Sequence, residues 1–200
     1  YINNIFELTV KNARKIAADY IAESYQDAYF SFLATALIIV RHESFYNHFR
    51  EVPELGERCT AGRNDGSILK KKSEKLYAAF MSYVKNIEPS YTPDCDYLPF
   101  YSPGIQVLSS SDAYSIGLMQ VAMNYHVENY MKRFAYQSVD QTIEYGLSYL
   151  KEGFDEIYFN YLNYDCLHDS GEMNYKGLIR GAWAGQYNSG KVSRTCRFSD

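Results

Sequence analysis

Tryptophan occurs once, cysteine four times and proline five times among the 200 residues. All five prolines fall between Arg50 and Ser111, so nothing outside that stretch carries the residue that most effectively breaks a helix. The chain has no apolar run of the ~20 residues that cross a bilayer, and no membrane span is expected. Its most apolar stretch, Tyr29 through Val40, is interrupted by Ser31 and Thr35. A surplus of positive charge is also missing: 20 Lys and Arg stand against 24 Asp and Glu, a formal net charge of -4, which argues against a nucleic-acid or anionic-membrane partner. The cationic run Lys70-Lys71-Lys72 follows a turn-rich Gly-Arg-Asn-Asp-Gly segment and reads as a solvated loop. Neither a Cys-x-x-Cys pair nor a Cys/His spacing suited to zinc occurs, so no metal and no cofactor are expected. The chain opens on Tyr-Ile-Asn-Asn, without an initiator Met or a signal-like pattern, and is read as a domain whose leader was cut away or as a trimmed piece.

What is present points to one packed domain over 1–200, expected as a monomer. A composition of 46% hydrophobic, 22% charged and 16% aromatic residues excludes disorder and supports one good core. Apolar positions recur at helical spacing from Val10 to Ile21, from Gln26 to His42 and from Glu74 to Ile87. Another helix opens on Ser138-Val139-Asp140-Gln141, a capping box, and continues to Tyr161. A last one is expected over Glu172 to Tyr187. The fold class is therefore mainly α, and the polar stretch from about 50 to 110 reads as an insertion.

The four cysteines, Cys59, Cys95, Cys166 and Cys196, allow three disulfide connectivities. Cys59 with Cys95 and Cys166 with Cys196 are favoured because each pair brackets a locally irregular segment, and each bond is worth ~3 to 4 kcal/mol in the chain-entropy model. A secreted or periplasmic location follows from that pairing, whereas four free thiols would indicate the cytosol.

The first candidate for chemistry is Glu43, in the stretch RHESFYNHF at 41–49, at the end of the apolar helix. A carboxyl in such surroundings is poorly solvated, desolvation disfavours its charged form, and a carboxylic acid kept protonated serves as a general acid. That suits glycosidic bond cleavage. A zinc-protease reading of His42-Glu43 fails on spacing, since Tyr46 stands where the second histidine is needed.

Three further segments follow Glu43-Ser44 in order: SDAYSIGLMQV at 111–121, SVDQTIEYGLSYLKEGF at 138–154 and AGQYNSGKV at 184–192. Together the four resemble the motifs of the lytic transglycosylase (soluble, SLT-type) and goose-type lysozyme superfamily: a Glu-Ser pair, a Gly-Leu-Met-Gln segment, a helix with Gly and Tyr-Leu, and an Ala-Tyr-Asn-Ala-Gly-like motif. The histidine trailing GLMQVAMNYH, His126, resembles the goose-type branch.

The resemblance implies a lysozyme-like fold whose long insertion lies between the Glu43 helix and the Gly-Leu-Met-Gln motif, and a cleft for peptidoglycan glycan strands. It implies that Glu43 protonates the leaving oxygen between N-acetylmuramic acid and N-acetylglucosamine. Ser44 would support that carboxyl or a sugar acyl group. Gly117, Leu118, Met119 and Gln120 would line the groove, Tyr187 would orient the acid, and Asn188 would fix its turn. Tyr114 and Tyr125 join Tyr187 as sugar-stacking candidates among 21 tyrosines.

The chain departs from that pattern in its long Glu43–Gly117 spacing, in Ser189 where the family has Ala, and in its acidity. An inverting hydrolase needs a second carboxylate ~6.5 to 9.5 Å from the acid, whereas a lytic transglycosylase needs only one. Asp112 is the candidate base, one position from the goose-type aspartate, with Asp94 and Asp96 weaker candidates. The expected function is a lysozyme-like peptidoglycan hydrolase. The alternatives are a lytic transglycosylase forming 1,6-anhydromuramyl ends and a non-catalytic peptidoglycan-binding module. The net charge of -4 adds the expectation that de-N-acetylated, cationic wall is favoured.

Overall fold

The computed structural model describes residues 2–45, 49–51, 105–107, 115–133, 135 and 138–197. The expected helix over 74–87, the Cys59–Cys95 pair, Asp94, Asp96, Asp112 and Tyr114 lie outside the described residues. Of the described residues 74% are helical, so the described part of the chain is mainly α. No helix among them is long and apolar enough to cross a membrane.

In chain order the helices are α1 (Ile2–Ile16), α2 (Ala18–Ala22), α3 (Gln26–Ser44), α4 (Met123–Lys132), α5 (Val139–Phe159) and α6 (Tyr175–Gly181). Among the described residues six short strands form three antiparallel pairs: β1 (Phe49–Glu51) with β2 (Ile105–Val107), β3 (Ser115–Ile116) with β4 (Val121–Ala122), and β5 (His168–Asp169) with β6 (Glu172–Met173). The chain divides into two compact units, Tyr1–His42 with Ile143–Asp200, and Glu43–Thr142.

The first unit buries one face of each of its long helices. On α3, Ala28, Phe32, Ala36, Ile39 and Val40 are all fully buried, the spacing that 3.6 residues per turn places on one side. Thr35 lies on the same face, and its hydroxyl donates back to the Ser31 carbonyl at 2.8 Å, so a buried polar group is satisfied within the helix. On α5 the matching set is Ile143, Leu147, Leu150, Phe154 and Ile157. Phe32 and Phe154 meet edge to face with centroids 5.4 Å apart, and Tyr20 of α2 packs against both at 6.5 and 6.3 Å. Each such buried ring contributes about 2 to 3 kcal/mol by area, with about 1 kcal/mol more from ring–ring geometry.

Lys151 is buried within this apolar cluster. Its ammonium donates to Asp19 Oδ2 at 2.9 Å and to both oxygens of Asp155 at 2.7 and 2.8 Å, and it sits 4.0 Å from the centre of the Tyr20 ring. The Tyr20 hydroxyl donates to Asp155. Burial, and then that hydrogen bond, push the Tyr20 hydroxyl far above its usual titration range, so it stays a donor. Removing one member of a buried charge group strands the rest, but both aspartates keep partial access to solvent. Lys151→Met is therefore expected to lower stability by about 2 kcal/mol, read as a shift in denaturation midpoint. An unchanged midpoint would show that the cluster is energetically idle.

Several boundaries differ from those the periodicity suggests. The first helix begins at Ile2 and breaks at Ala17, where φ is -100° and ψ is 30°, before resuming as α2. The last expected helix begins later, because Glu172–Met173 pairs with His168–Asp169 across a turn in which Ser170 and Gly171 both take positive φ. Asn174 then caps α6, its side chain accepting from the Gly177 amide at 3.0 Å. The helix expected to reach Tyr161 ends at Phe159 and gives way to a 3-10 turn over Tyr161–Asn163. One half of the capping box is observed: the Gln141 amide donates to the Ser138 hydroxyl at 3.1 Å, while the Gln141 side-chain oxygen accepts from that hydroxyl at 3.3 Å in place of the Ser138 amide.

Candidate functional site

Glu43 and Ser44 form the last turn of α3. Glu43 is half-buried and Ser44 is buried. The helix stops because Phe45 adopts a left-handed conformation with φ of 50°. A non-glycine residue held there costs on the order of 1 kcal/mol, and such local strain concentrates at functional sites. Phe45 itself is 74% exposed, so burial of its ring is not what holds it in place.

The Gly-Leu-Met-Gln segment is the tip of the β3–β4 hairpin. Ile116 pairs with Val121, and the four residues between them form the turn. Gly117 (φ 72°) and Gln120 (φ 46°) both occupy the left-handed region. Glycine reaches it without cost; Gln120 is held there by its own amide, which donates to the Gly117 carbonyl at 3.0 Å, and by its side-chain nitrogen, which donates to the same oxygen at 2.7 Å. Leu118 and Met119 are fully buried, so they anchor the turn from beneath and Gln120 is its partly exposed polar group. Next in the chain, α4 carries Tyr125, which is 80% exposed, and His126, whose pKa is lowered by burial so that the neutral imidazole is favoured.

The fourth motif lies on an unusual piece of helix. After α6 the chain continues as a π-helical turn over Ala182–Tyr187, in which the Asn188 amide bonds back to the Trp183 carbonyl at 2.8 Å. Such turns are rare and recur at functional sites. Tyr187 is half-buried, its ring 6.1 Å from that of Tyr149, and Asn188 is exposed. The Ser189 hydroxyl donates to the Gly185 carbonyl at 2.6 Å, closing the turn where the resembled motif has Ala. Gly190 (φ 60°) completes it, and a Cβ there would come within 3.0 Å of the Tyr149 hydroxyl. His42, the residue before Glu43, meets Trp183 edge-on with ring centroids 4.9 Å apart.

Gly177, Gly181 and Gly185, four residues apart, let this helix approach its surroundings closely. A Cβ on Gly177 would sit 2.0 Å from the Cys166 carbonyl oxygen. One on Gly181 or Gly185 would come within 2.7 or 2.6 Å of the Thr195 side chain. The spacing is visible in the sequence as Gly-x-x-x-Gly-x-x-x-Gly, a signal of close packing that reading by motif alone passes over. Cys166 and Cys196 are disulfide-bonded, with Cα atoms 5.5 Å apart.

Among the predicted site residues the structure thus describes Glu43, Ser44, Gly117 to Gln120, Tyr187 and Asn188, while Asp112 lies outside the described residues. Among those described, no group of three His, Cys, Asp or Glu side chains is arranged to hold a metal ion. No protein-family model matches the chain, and no curated protein or solved structure matches it.

Proposed function

We propose that the chain is a peptidoglycan-degrading glycosidase of lysozyme-like fold, with the stretch from about 50 to 110 inserted between the Glu43 helix and the Gly-Leu-Met-Gln hairpin. It hydrolyses the β-1,4 bond between N-acetylmuramic acid and N-acetylglucosamine, in a secreted or periplasmic setting in keeping with the Cys166–Cys196 disulfide. Glu43 is the general acid and Asp112 the base that activates water. Ser44, Gln120, Tyr187 and Asn188 are the polar groups that position acid and sugar, with Leu118 and Met119 beneath the hairpin tip.

The observation that supports this reading best is the contact between His42 and Trp183. His42 directly precedes the Glu43-Ser44 pair and Trp183 directly precedes the 184–192 segment, so residues flanking the first and last of the four motifs meet across some 140 positions of chain, and the resemblance requires those two segments to serve one site. The left-handed backbone at Phe45 and Gln120 and the π-helical turn before Asn188 add local irregularity at three of the four motifs.

Mass spectrometry of muropeptides from digested cell wall tests the reading. Reducing ends are expected, and Asp112→Asn is expected to slow their release about 100-fold, at the low end for loss of a general base. Anhydro-muramyl ends with an unaffected Asp112→Asn variant would make the chain a lytic transglycosylase. No release by folded protein, with retained wall binding, would make it a non-catalytic module. De-N-acetylated wall is expected to be cleaved faster than the same wall after chemical N-acetylation, the expectation drawn from the net charge of -4.

A further inference from the structure

The C-terminal part of the chain has a charge opposite to that of the whole. From Asn174 to Arg197 it contains Lys176, Arg180, Lys191, Arg194 and Arg197 and no Asp or Glu, although acidic residues outnumber basic ones overall. Two of these cations, Arg194 and Arg197, line a cavity of about 310 Å³ whose other walls are Trp183, Ala184, Asn188 and Ser189. Among the described residues, neither guanidinium is ion-paired with an acidic side chain.

The two arginines are exposed, but the backbone between them is firmly held. Thr195 is fully buried and lies against Gly181 and Gly185, and Cys196 is bonded to Cys166. The Arg194 amide donates to the Lys191 carbonyl and the Arg197 amide to the Arg194 carbonyl, both at 2.9 Å. A cationic pair mounted on such a turn loses little backbone freedom when it binds a ligand. The other walls narrow the chemistry. The Ser189 hydroxyl gives its proton to Gly185, so toward a ligand it is an acceptor, suited to an N–H group. Asn188 offers an amide, and Trp183 an apolar ring. Planar guanidinium forks match carboxylates with two parallel hydrogen bonds. A carboxylate joined to a peptide N–H satisfies all of these walls, whereas a simple phosphodiester has no N–H for Ser189.

We infer that this pocket is a carboxylate subsite that recognises an acidic group of the peptide borne by the glycan strand. The choice of ligand rests on the proposed wall-degrading function, while the anion preference rests on the pocket alone. It also bears on the expectation drawn from net charge: here the substrate meets positive charge, and a free carboxylate, not a free amine, is the recognised group.

Equilibrium binding of a soluble disaccharide-peptide with free carboxylates, set against the same compound with its carboxylates amidated, tests the subsite. The wild-type chain is expected to bind the free acid about tenfold more tightly, a typical worth for a charge-assisted pair. In the doubly substituted Arg194→Gln, Arg197→Gln protein that ratio is expected to fall to about one. Both side chains are on the surface, so an unchanged thermal melt should confirm folding. Equal binding of the two compounds, binding of neither, or a ratio that survives the double substitution would overturn the proposal. Tighter binding of a glycerol phosphate oligomer would reassign the pocket to phosphate and overturn it too. Carboxylate-dependent binding without glycan cleavage would leave the subsite standing and remove the glycosidase. Cleavage without carboxylate discrimination would do the reverse.

Discussion

Glu43→Gln is expected to lower the rate of cell-wall clearing by ~100-fold or more and to leave the protein folded, since a positioned general acid contributes about 10² to 10⁴ in rate. The substitution keeps the shape and hydrogen-bonding reach of the side chain and removes only the transferable proton. Glu43 is half-buried in the last turn of α3, on a helix end fixed by the left-handed Phe45 and followed directly by the buried Ser44. An amide there fits as well as an acid, so a melt matching wild type should accompany the lost activity. Turbidity loss of purified wall and the far-ultraviolet melt are read on the same preparation. A folded variant with near-normal clearing would falsify the acid assignment.

The parts of this arrangement that could be read from the sequence are those set by local chemistry. Ser138 followed by Gln141 places a helix start because the bond between them spans one turn and needs nothing from elsewhere. The apolar faces of α3 and α5 were legible for a similar reason: burial follows the 3.6-residue period with no intervening proline. The break at Ala17 has no such signal, since alanine is the residue least expected to interrupt a helix. Gln120 is hidden too, because a left-handed glutamine is held by a hydrogen bond from its own side chain and not by residue type.

The π-helical turn was the costliest omission for the site. Trp183 and Tyr187 stand four apart and read as one face of an ordinary helix, yet the extra residue in the turn alters which side chains share a face. Its setting is tertiary: Thr195, ten positions beyond Gly185 in the chain, lies directly against the helix at Gly181 and Gly185. The charge of the pocket was hidden by averaging, because a net value of -4 covers a 24-residue stretch that holds five cations and no acid. The candidate base, Asp112, rests on sequence resemblance alone.

Replacing both Cys166 and Cys196 by serine is expected to cost ~3 to 4 kcal/mol, the chain-entropy value for a loop of this size. The two cysteines are 30 positions apart. Between them lie the β5–β6 hairpin, α6 and the π-helical turn. The packing inside this loop leaves little slack: Gly177 abuts the Cys166 backbone, and Gly181 abuts both Leu167 and Thr195. Native contacts thus hold the ends near each other even without the bond. The loss should therefore fall mainly on the unfolded chain, which gains freedom, rather than on native geometry. Urea denaturation of the double variant and of the wild type should show a lower midpoint for the variant, with native far-ultraviolet signal before the transition. A midpoint within error of wild type would overturn the chain-entropy account of this bond. Peptide mapping without reduction provides the second arm: recovery of free Cys166 or Cys196 thiols would remove the bond, the predicted cost and the main structural support for an oxidising location.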